Sequence, residues 1–203
     1  MKKDYLSILL KAAVRLAAVL SVAVIAFLVG YILVKGSPHL KPSLFAREYS
    51  SENVSLLPAL INTIFITILS LLLAGPLGIF SAVYLHEYAR RGNRLVKVIR
   101  MAAEVLAGIP SIVYGLFGMI FFVVTLGWGY SLLAGTCTLT IMILPLIMRT
   151  TEEALMSVPD AYREGSFGLG AGKLRTVFAI VLPAAVPGIL AGIILSIGRI
   201  VGE

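Results

Sequence analysis

Five long apolar runs, separated by shorter polar stretches, dominate the pattern of hydrophobic and polar positions along this chain. The runs cover residues 15–34, 56–85, 109–126, 131–148 and 184–203. Each is long enough to cross the roughly 30 Å hydrocarbon core of a membrane as an α-helix. Because a chain in lipid must satisfy its backbone hydrogen bonds within each segment, we predict an all-α integral membrane protein, a polytopic helix bundle.

The second run is too long for one perpendicular crossing, so we expect it to tilt or to bend at Gly75-Pro76, where proline removes a backbone hydrogen bond. Small and polar residues form a stripe along it at helical spacing: Thr63, Thr67, Ser70 and Ala74. Such stripes pack helix against helix in lipid. For each hydroxyl residue taken alone, a hydrogen bond to a carbonyl of its own helix is an equally good explanation.

A basic segment, residues 86–100, follows the second run and leads into a turn at residues 108–110. We predict an amphipathic helix that lies in the membrane interface. Its polar face consists of Asn93, Lys97, Arg100 and Glu104. Its apolar face consists of Leu95, Val98, Ala102 and Leu106.

The longest polar interruption in the second half of the chain covers residues 149–183, here called the polar stretch. Residues 157–160 predict a helix start, with Ser157 as the N-cap and Pro159 in the first turn. The helix should break at three glycines that tolerate tight-turn angles: Gly168, Gly170 and Gly172. A second helix should follow, with one face formed by Leu174, Val177, Phe178 and Val181. Two helices around a glycine turn predict a docking element at the membrane surface.

Two plainer interpretations of the polar stretch fit less well. A phosphate-binding P-loop is excluded because Phe167 occupies the first glycine position and Leu174 follows Lys173. A simple connecting loop remains an alternative, although about thirty residues with two patterned helices exceed what a connection needs.

Composition and charge favour the membrane over nucleic acid as the partner. The 203 residues are 59% hydrophobic and 13% charged, and the net charge is +7. Of the 17 Lys and Arg residues, only Lys35, Lys41 and Arg47 fall in the segments predicted to be outside, and Arg199 lies within a run. The others flank the runs on the opposite side. This asymmetry predicts that the N-terminus and the polar stretch lie in the cytoplasm.

An intramembrane enzyme, such as a hydrolase, is the main alternative from another functional class. It would need a nucleophile, base or metal constellation within the apolar runs. Cys137 is isolated, and His39 and His86 are far apart without metal-like spacing. The residues therefore favour a membrane protein without catalysis, bound metal or cofactor.

The polar stretch resembles the cytoplasmic loop of ABC importer permeases, whose pattern is E-A-A-x3-G-x9-I-x-L-P. The matching positions are Glu164, Gly165, Ser166, Gly170, Ile180, Leu182 and Pro183, with Gly165 and Ser166 in place of two alanines. In that family the loop is the coupling helix that inserts into a cleft on a separate ATPase subunit. The resemblance therefore implies that these residues couple this chain to an ATPase.

Three further stretches resemble the phosphate-specific (Pst) permeases, and the PstA-type more than the PstC-type subunit. They read A-G-I-P-S-I-V-Y-G-L-F-G (107–118), I-L-P-L-I-M-R-T-T-E-E-A-L (143–155) and L-P-A-A-V-P-G-I-L-A-G-I-I-L-S-I-G-R-I-V-G-E (182–203). The resemblance implies the MetI-like permease fold, with five of an expected six transmembrane helices present and a sixth hydrophobic segment after Glu203. Residues 1–55 would form an N-terminal helix and outer loop, and residues 56–203 a permease domain with the coupling loop at about 150–183.

The same resemblance implies function and partners. We expect a multi-pass permease of a prokaryotic inner membrane that imports inorganic phosphate. Its partners would be a PstC-like sibling, a PstB-like ATPase dimer that uses ATP and Mg²⁺, and an extracytoplasmic PstS-like binding protein. A permease for another oxyanion, molybdate or sulfate, or a PstC-type role, remains the alternative.

The last run carries the candidate anion site. One helix face contains Gly188, Gly192, Ser196, Arg199 and Glu203. Because Gly188 and Gly192 allow another helix to approach, this face should point toward protein. An arginine there costs about 3 kcal/mol or more, and its guanidinium suits a tetrahedral oxyanion. Arg149 and Glu152 are the other candidates for the anion path. In the plainer interpretations Arg199 pairs with Glu203, and Arg149 only anchors its helix at the inner surface.

Overall fold

The computed structural model describes residues 5–50, 55–90 and 92–203, and no strand occurs among them. Four helices are long and apolar enough to cross a membrane, and a bent pair of helices would make a fifth crossing. The prediction of an all-α polytopic membrane protein is therefore confirmed. The chain divides between Ala59 and Leu60 into two compact units.

From the second helix onward, the helices follow one another with short connections. Their bounds are α1 Tyr5–Gly36, α2 Leu57–Val83, α3 Arg94–Ala107, α4 Ser111–Gly118, α5 Leu132–Met156, α6 Asp160–Gly168, α7 Lys173–Thr176 and α8 Leu182–Val201. Wide π-helical turns extend three of them: Tyr84–Tyr88 after α2, Met119–Thr125 after α4, and Val177–Val181 between α7 and α8. In the first unit, α1 is exposed over most of residues 7–36 and is followed by two 3₁₀ turns, Ser37–His39 and Pro42–Phe45.

Close packing of α5 against α8 forms the centre of the second unit. A Cβ atom on Gly188 would lie 2.6 Å from Cβ of Ala154, and one on Gly192 would overlap the side chain of Thr150. The two helices run antiparallel, because the later residue of α8 faces the earlier residue of α5. The predicted close approach at the two glycines is confirmed, and the helix face that carries them points toward protein.

Two buried clusters flank this contact. One joins the end of α2, α3 and the start of α8 around Leu155, Val177 and Val181. The other joins α2, α4, α5 and the end of α8 around Ile143 and Ile147. Helices α2, α5 and α8 therefore contribute buried residues to both clusters, α3 to the first and α4 to the second.

A helix does begin within residues 157–160, at Asp160, but the predicted N-cap at Ser157 is wrong. Helix α5 continues to Met156, beyond the predicted end of its run, because Thr151, Glu152 and Leu155 are buried against neighbouring helices. Ser157 instead ends α5, and its hydroxyl donates to the Ala154 carbonyl over 2.7 Å.

The second helix of the polar stretch is not separate from the last membrane span. One helical segment runs from Lys173 through the π turn to Val201. Of the four residues predicted to share one face, Val177 and Val181 are buried, whereas Leu174 and Phe178 are exposed. The wide turn ends immediately before Leu182-Pro183, where proline has no amide hydrogen to continue the regular pattern.

Two other helices depart partly from the sequence pattern. Helix α2 continues through Pro76; its Ser70 hydroxyl donates to the Thr136 carbonyl over 3.3 Å, whereas that of Thr67 bonds back to Thr63 over 2.7 Å. The two explanations of the polar stripe therefore hold at different residues. Helix α3 buries Val96 and Ala103 rather than the predicted apolar face, and it bends by 100° into α4.

Candidate functional site: the coupling loop and two charged groups

The exposed helix α6 carries the first residues of the coupling motif. Glu164 and Gly165 are exposed, whereas Ser166 is buried with its hydroxyl oxygen 2.8 Å from Oγ1 of Thr176. This hydrogen bond joins α6 to α7. The serine that replaces the usual alanine therefore fixes the two helices of the loop to each other.

The glycine turn between α6 and α7 depends on Gly170. Its φ of +82° lies in the left-handed region, and its amide donates to the Phe167 carbonyl over 2.9 Å. A Cβ atom would meet nothing within 4 Å. The requirement for glycine is therefore set by the backbone angle rather than by lack of space.

The spacing of the motif has a structural reason. Ser166, Gly170 and Ile180 line one groove of about 330 Å³ between α6, the turn and the π turn that precedes α8. Leu182 packs against the buried cluster at the start of α8, and Pro183 is exposed. Motif residues that are 10 to 14 positions apart thus line the same groove.

Exposed apolar side chains of the polar stretch are candidate contacts, and the sequence analysis did not select them for that role. Leu169 is 91% exposed, Leu174 66% and Tyr162 53%. Their sequence signal was the occurrence of large apolar residues in an otherwise polar loop. Exposed apolar groups that are clustered on a small element commonly mark a protein contact.

Arg163 is the most highly connected residue of α6, and the sequence analysis counted it only as a positive charge. Nε and Nη2 donate to Oε1 of Glu87 over 3.1 and 2.8 Å. Nη2 also donates to the Leu155 carbonyl over 3.0 Å, and Nη1 to the Val158 carbonyl over 2.9 Å and to Asp160 over 3.0 Å. No pattern in the sequence links Arg163 to Glu87, because 76 residues separate them.

The predicted pair Arg149 and Glu152 lines one cavity, but each residue has another charged partner. The cavity is about 250 Å³ and lies between α3 and α5. Arg149 donates to Glu153 over 3.1 Å at an exposed position, while the buried Glu152 forms an ion pair with Arg100 of α3. Arg100 lines the same cavity and is an additional charged group of this site.

Arg199 lies apart from that cavity. Gly192 faces Thr150, and Arg199 is nearly two turns, about 10 Å, further along α8. Its side chain is half-buried, and within residues 5–50, 55–90 and 92–203 no carboxylate lies within 4 Å of it. The ion pair with Glu203 that was the alternative interpretation is therefore absent from the structure.

Comparison with known families identifies the class of protein. The family described as "Binding-protein-dependent transport system inner membrane component" matches residues 74–203. The chain belongs to this family, and the resemblance based on the motifs is confirmed.

Individual relatives agree with this assignment. "Probable ABC transporter permease protein YqgI" of Bacillus subtilis (strain 168) is 36% identical over 190 residues, which are 93% of this chain and 64% of that protein. "Phosphate transport system permease protein PstA 1" of Mycobacterium tuberculosis (strain CDC 1551 / Oshkosh) is 47% identical over 131 residues, which are 64% of this chain and 42% of that protein. The chain spans about half the length of the curated relatives it matches.

A solved structure confirms the fold. The MetNI methionine ABC transporter in an inward-facing conformation (CY5 native crystal form) aligns with a TM-score of 0.58 and 25% identity. The alignment covers 70% of this chain and 66% of that chain. The predicted MetI-like permease fold is therefore present in the second unit.

Proposed function

We propose that this chain is the PstA-type permease subunit of an ATP-driven importer of inorganic phosphate. Similarity to the PstA 1 protein named above supports the choice of substrate. The proposed partners are a PstC-like sibling, two PstB-like ATPase copies and an extracytoplasmic PstS-like binding protein. In this proposal the ATPase copies bind Mg²⁺ and hydrolyse ATP, whereas this chain binds no cofactor and performs no catalysis.

The observation that carries the proposal is the exposed groove where Ser166, Gly170 and Ile180 meet. The groove supports the proposal because three residues of the matched motif line it, in the polar stretch between α5 and α8. The exposed Leu169, which lines the groove, can enter a cleft on a partner, and Glu164 adds an exposed charge. With the N-terminus inside, the groove faces the cytoplasm, where the ATPase is found.

We assign the anion path to Arg199, Arg149 and Glu152. Arg199 supports this assignment because it lies within a span without a carboxylate partner in the described part of the chain. A guanidinium in low dielectric is stabilised by an anion, and a tetrahedral oxyanion accepts two hydrogen bonds from it. The exposed Arg149 and the paired Glu152 would act nearer the coupling loop, about two helical turns away.

The test is uptake of radiolabelled phosphate by the reconstituted complex of this chain with its sibling, ATPase and binding protein. We expect ATP-dependent uptake that unlabelled phosphate suppresses and that molybdate and sulfate at equal concentration do not. Suppression by molybdate or sulfate instead would assign the importer to the other oxyanion. Absence of ATPase association would contradict the assignment as a permease subunit.

A further inference from the structure

The contacts of Arg163 join α6 to one segment that is distant in sequence and to two segments that precede α6 directly in the chain. Its guanidinium reaches Glu87 in the π turn after α2, the Leu155 carbonyl at the end of α5, and the Val158 carbonyl in the following linker. Only 14% of the Arg163 side chain and 9% of the Glu87 side chain are exposed. This arginine therefore makes more than a surface ion pair.

The ion pair between Arg163 and Glu87 is buried, so it matters more than the exposed ion pair between Arg163 and Asp160. Asp160 also pairs with Arg163 over 3.0 Å, but its side chain is 85% exposed. Exposed pairs contribute little because water screens them. Removing one partner of a buried pair is costly, since it leaves a charge without compensation. Glu87 is thus the acidic partner on which the orientation of Arg163 depends.

The link lies where α6 meets the rest of the second unit. Arg163 directly precedes Glu164 of the coupling motif, and it faces inward while Glu164 faces outward. The other side-chain bond that fixes α6, from Ser166 to Thr176, leads only to α7. Among the described residues, the side-chain hydrogen bonds that join α6 directly to the π turn after α2 are those from Arg163 to Glu87; Lys173 of α7 adds a cation–π contact with the Tyr88 ring at 5.0 Å.

We propose that Arg163 and Glu87 form a charged link that makes the coupling helix and the end of α2 move as one body. The inference rests on the proposed function, because it assumes that an ATPase displaces α6. The two residues are positioning residues: they contact neither the anion nor the ATPase. Displacement of α6 then moves α2 directly, in addition to α5 and α8, which are joined to α6 through the chain.

The first test separates coupling from docking in the reconstituted complex. Glu87→Gln and Arg163→Gln should each lower anion uptake per ATP hydrolysed several-fold, while the ATPase subunit still co-purifies at wild-type stoichiometry. Arg163→Lys keeps the charge but cannot donate to three acceptors in the same plane, so it should rescue only part of the loss. The charge-swapped double variant Glu87→Arg, Arg163→Glu should recover more uptake per ATP than either of its single changes.

Asp160→Asn is the matched control, because it removes the exposed partner of the same arginine. We expect its uptake per ATP to equal that of the unmodified complex. An unchanged ratio in Glu87→Gln would overturn the link. Equal loss of ATPase association and uptake would also overturn it, because Arg163 would then only fold the docking helix.

A second measurement does not depend on which anion is transported. Spin labels on Tyr84→Cys and Ala161→Cys, in a Cys137→Ser background, report the distance between the end of α2 and α6. We expect this distance to stay constant when nucleotide is bound and trapped, and to broaden when Glu87→Gln is added. If phosphate uptake fails while the distance stays constant, the proposed substrate is rejected and the link is retained. If the distance changes on nucleotide binding while Glu87 and Arg163 are both intact, the link is rejected.

Discussion

The left-handed backbone of Gly170 is a requirement that belongs to one residue. Any side chain at a φ of +82° is strained, and a β-branched one most of all. We expect Gly170→Val to leave membrane insertion intact, to distort the turn by about 1 to 3 kcal/mol of strain, and to abolish ATPase association. Co-purification of the ATPase with the variant measures this.

Gly165→Ala provides the matched control on the same loop. Gly165 lies inside α6, and a Cβ atom there meets nothing within 4 Å. Alanine favours a helix by about 1 kcal/mol over glycine, so ATPase association should be unchanged or stronger. If Gly170→Val bound the ATPase as well as Gly165→Ala does, the turn would not shape the docking surface.

A second prediction for a single residue concerns Arg199. Because no pair with Glu203 forms, Arg199→Gln should abolish uptake of radiolabelled phosphate without loss of assembly. Adding Glu203→Gln should not restore uptake, since there is no pair to relieve. Recovery of uptake in the double variant, at matched expression, would show that the arginine has only a structural role.

The roles that could be predicted from the sequence are those that depend on neighbouring positions in the chain. Gly170 follows from its place between two helical patterns, and Gly192 from its place on one helix face. Arg163 and Arg100 could not be recognised, because their partners Glu87 and Glu152 are distant in sequence. An ion pair between elements has no signature in a single sequence.

At the scale of elements, the close contact between α5 and α8 limits the size of the side chains where the two helices meet. Gly192→Ala would place its Cβ against Thr150, so we expect a loss of roughly 1 to 3 kcal/mol in folding stability. Thermal unfolding of the purified complex in detergent measures the change. Gly198→Ala is the control on the same helix, because nothing lies within 4 Å of its Cβ position; equal melting temperatures for the two variants would contradict the close contact.

The boundaries of the helices were harder to predict than their existence, because contacts with other helices determine where a helix ends. Hydrophobicity located each membrane segment, but α5 continues through polar residues because Thr151 and Glu152 are buried by other helices. Likewise, α7 and α8 join into one segment through a π turn that local propensity does not encode. Tertiary contacts decided both boundaries.

At the scale of the whole molecule, the proposed orientation places the two ends of α5 on opposite sides of the membrane. Its 25 residues span about 37 Å, which exceeds the hydrocarbon thickness. Tyr130 lies just before α5, and Leu169 lies in the polar stretch beyond its other end. Both side chains are 91% exposed, so they form a matched pair of reporter positions.

We expect a membrane-impermeant maleimide to modify Tyr130→Cys in intact cells and Leu169→Cys only in inside-out vesicles. The reason is the asymmetry of Lys and Arg, which keeps the basic segments on the cytoplasmic side. Each variant carries Cys137→Ser, so the introduced thiol is the one cysteine of the chain. The reverse labelling pattern would place the coupling loop outside the cell. An intracellular ATPase could not reach it there, and the proposed mode of coupling would be wrong.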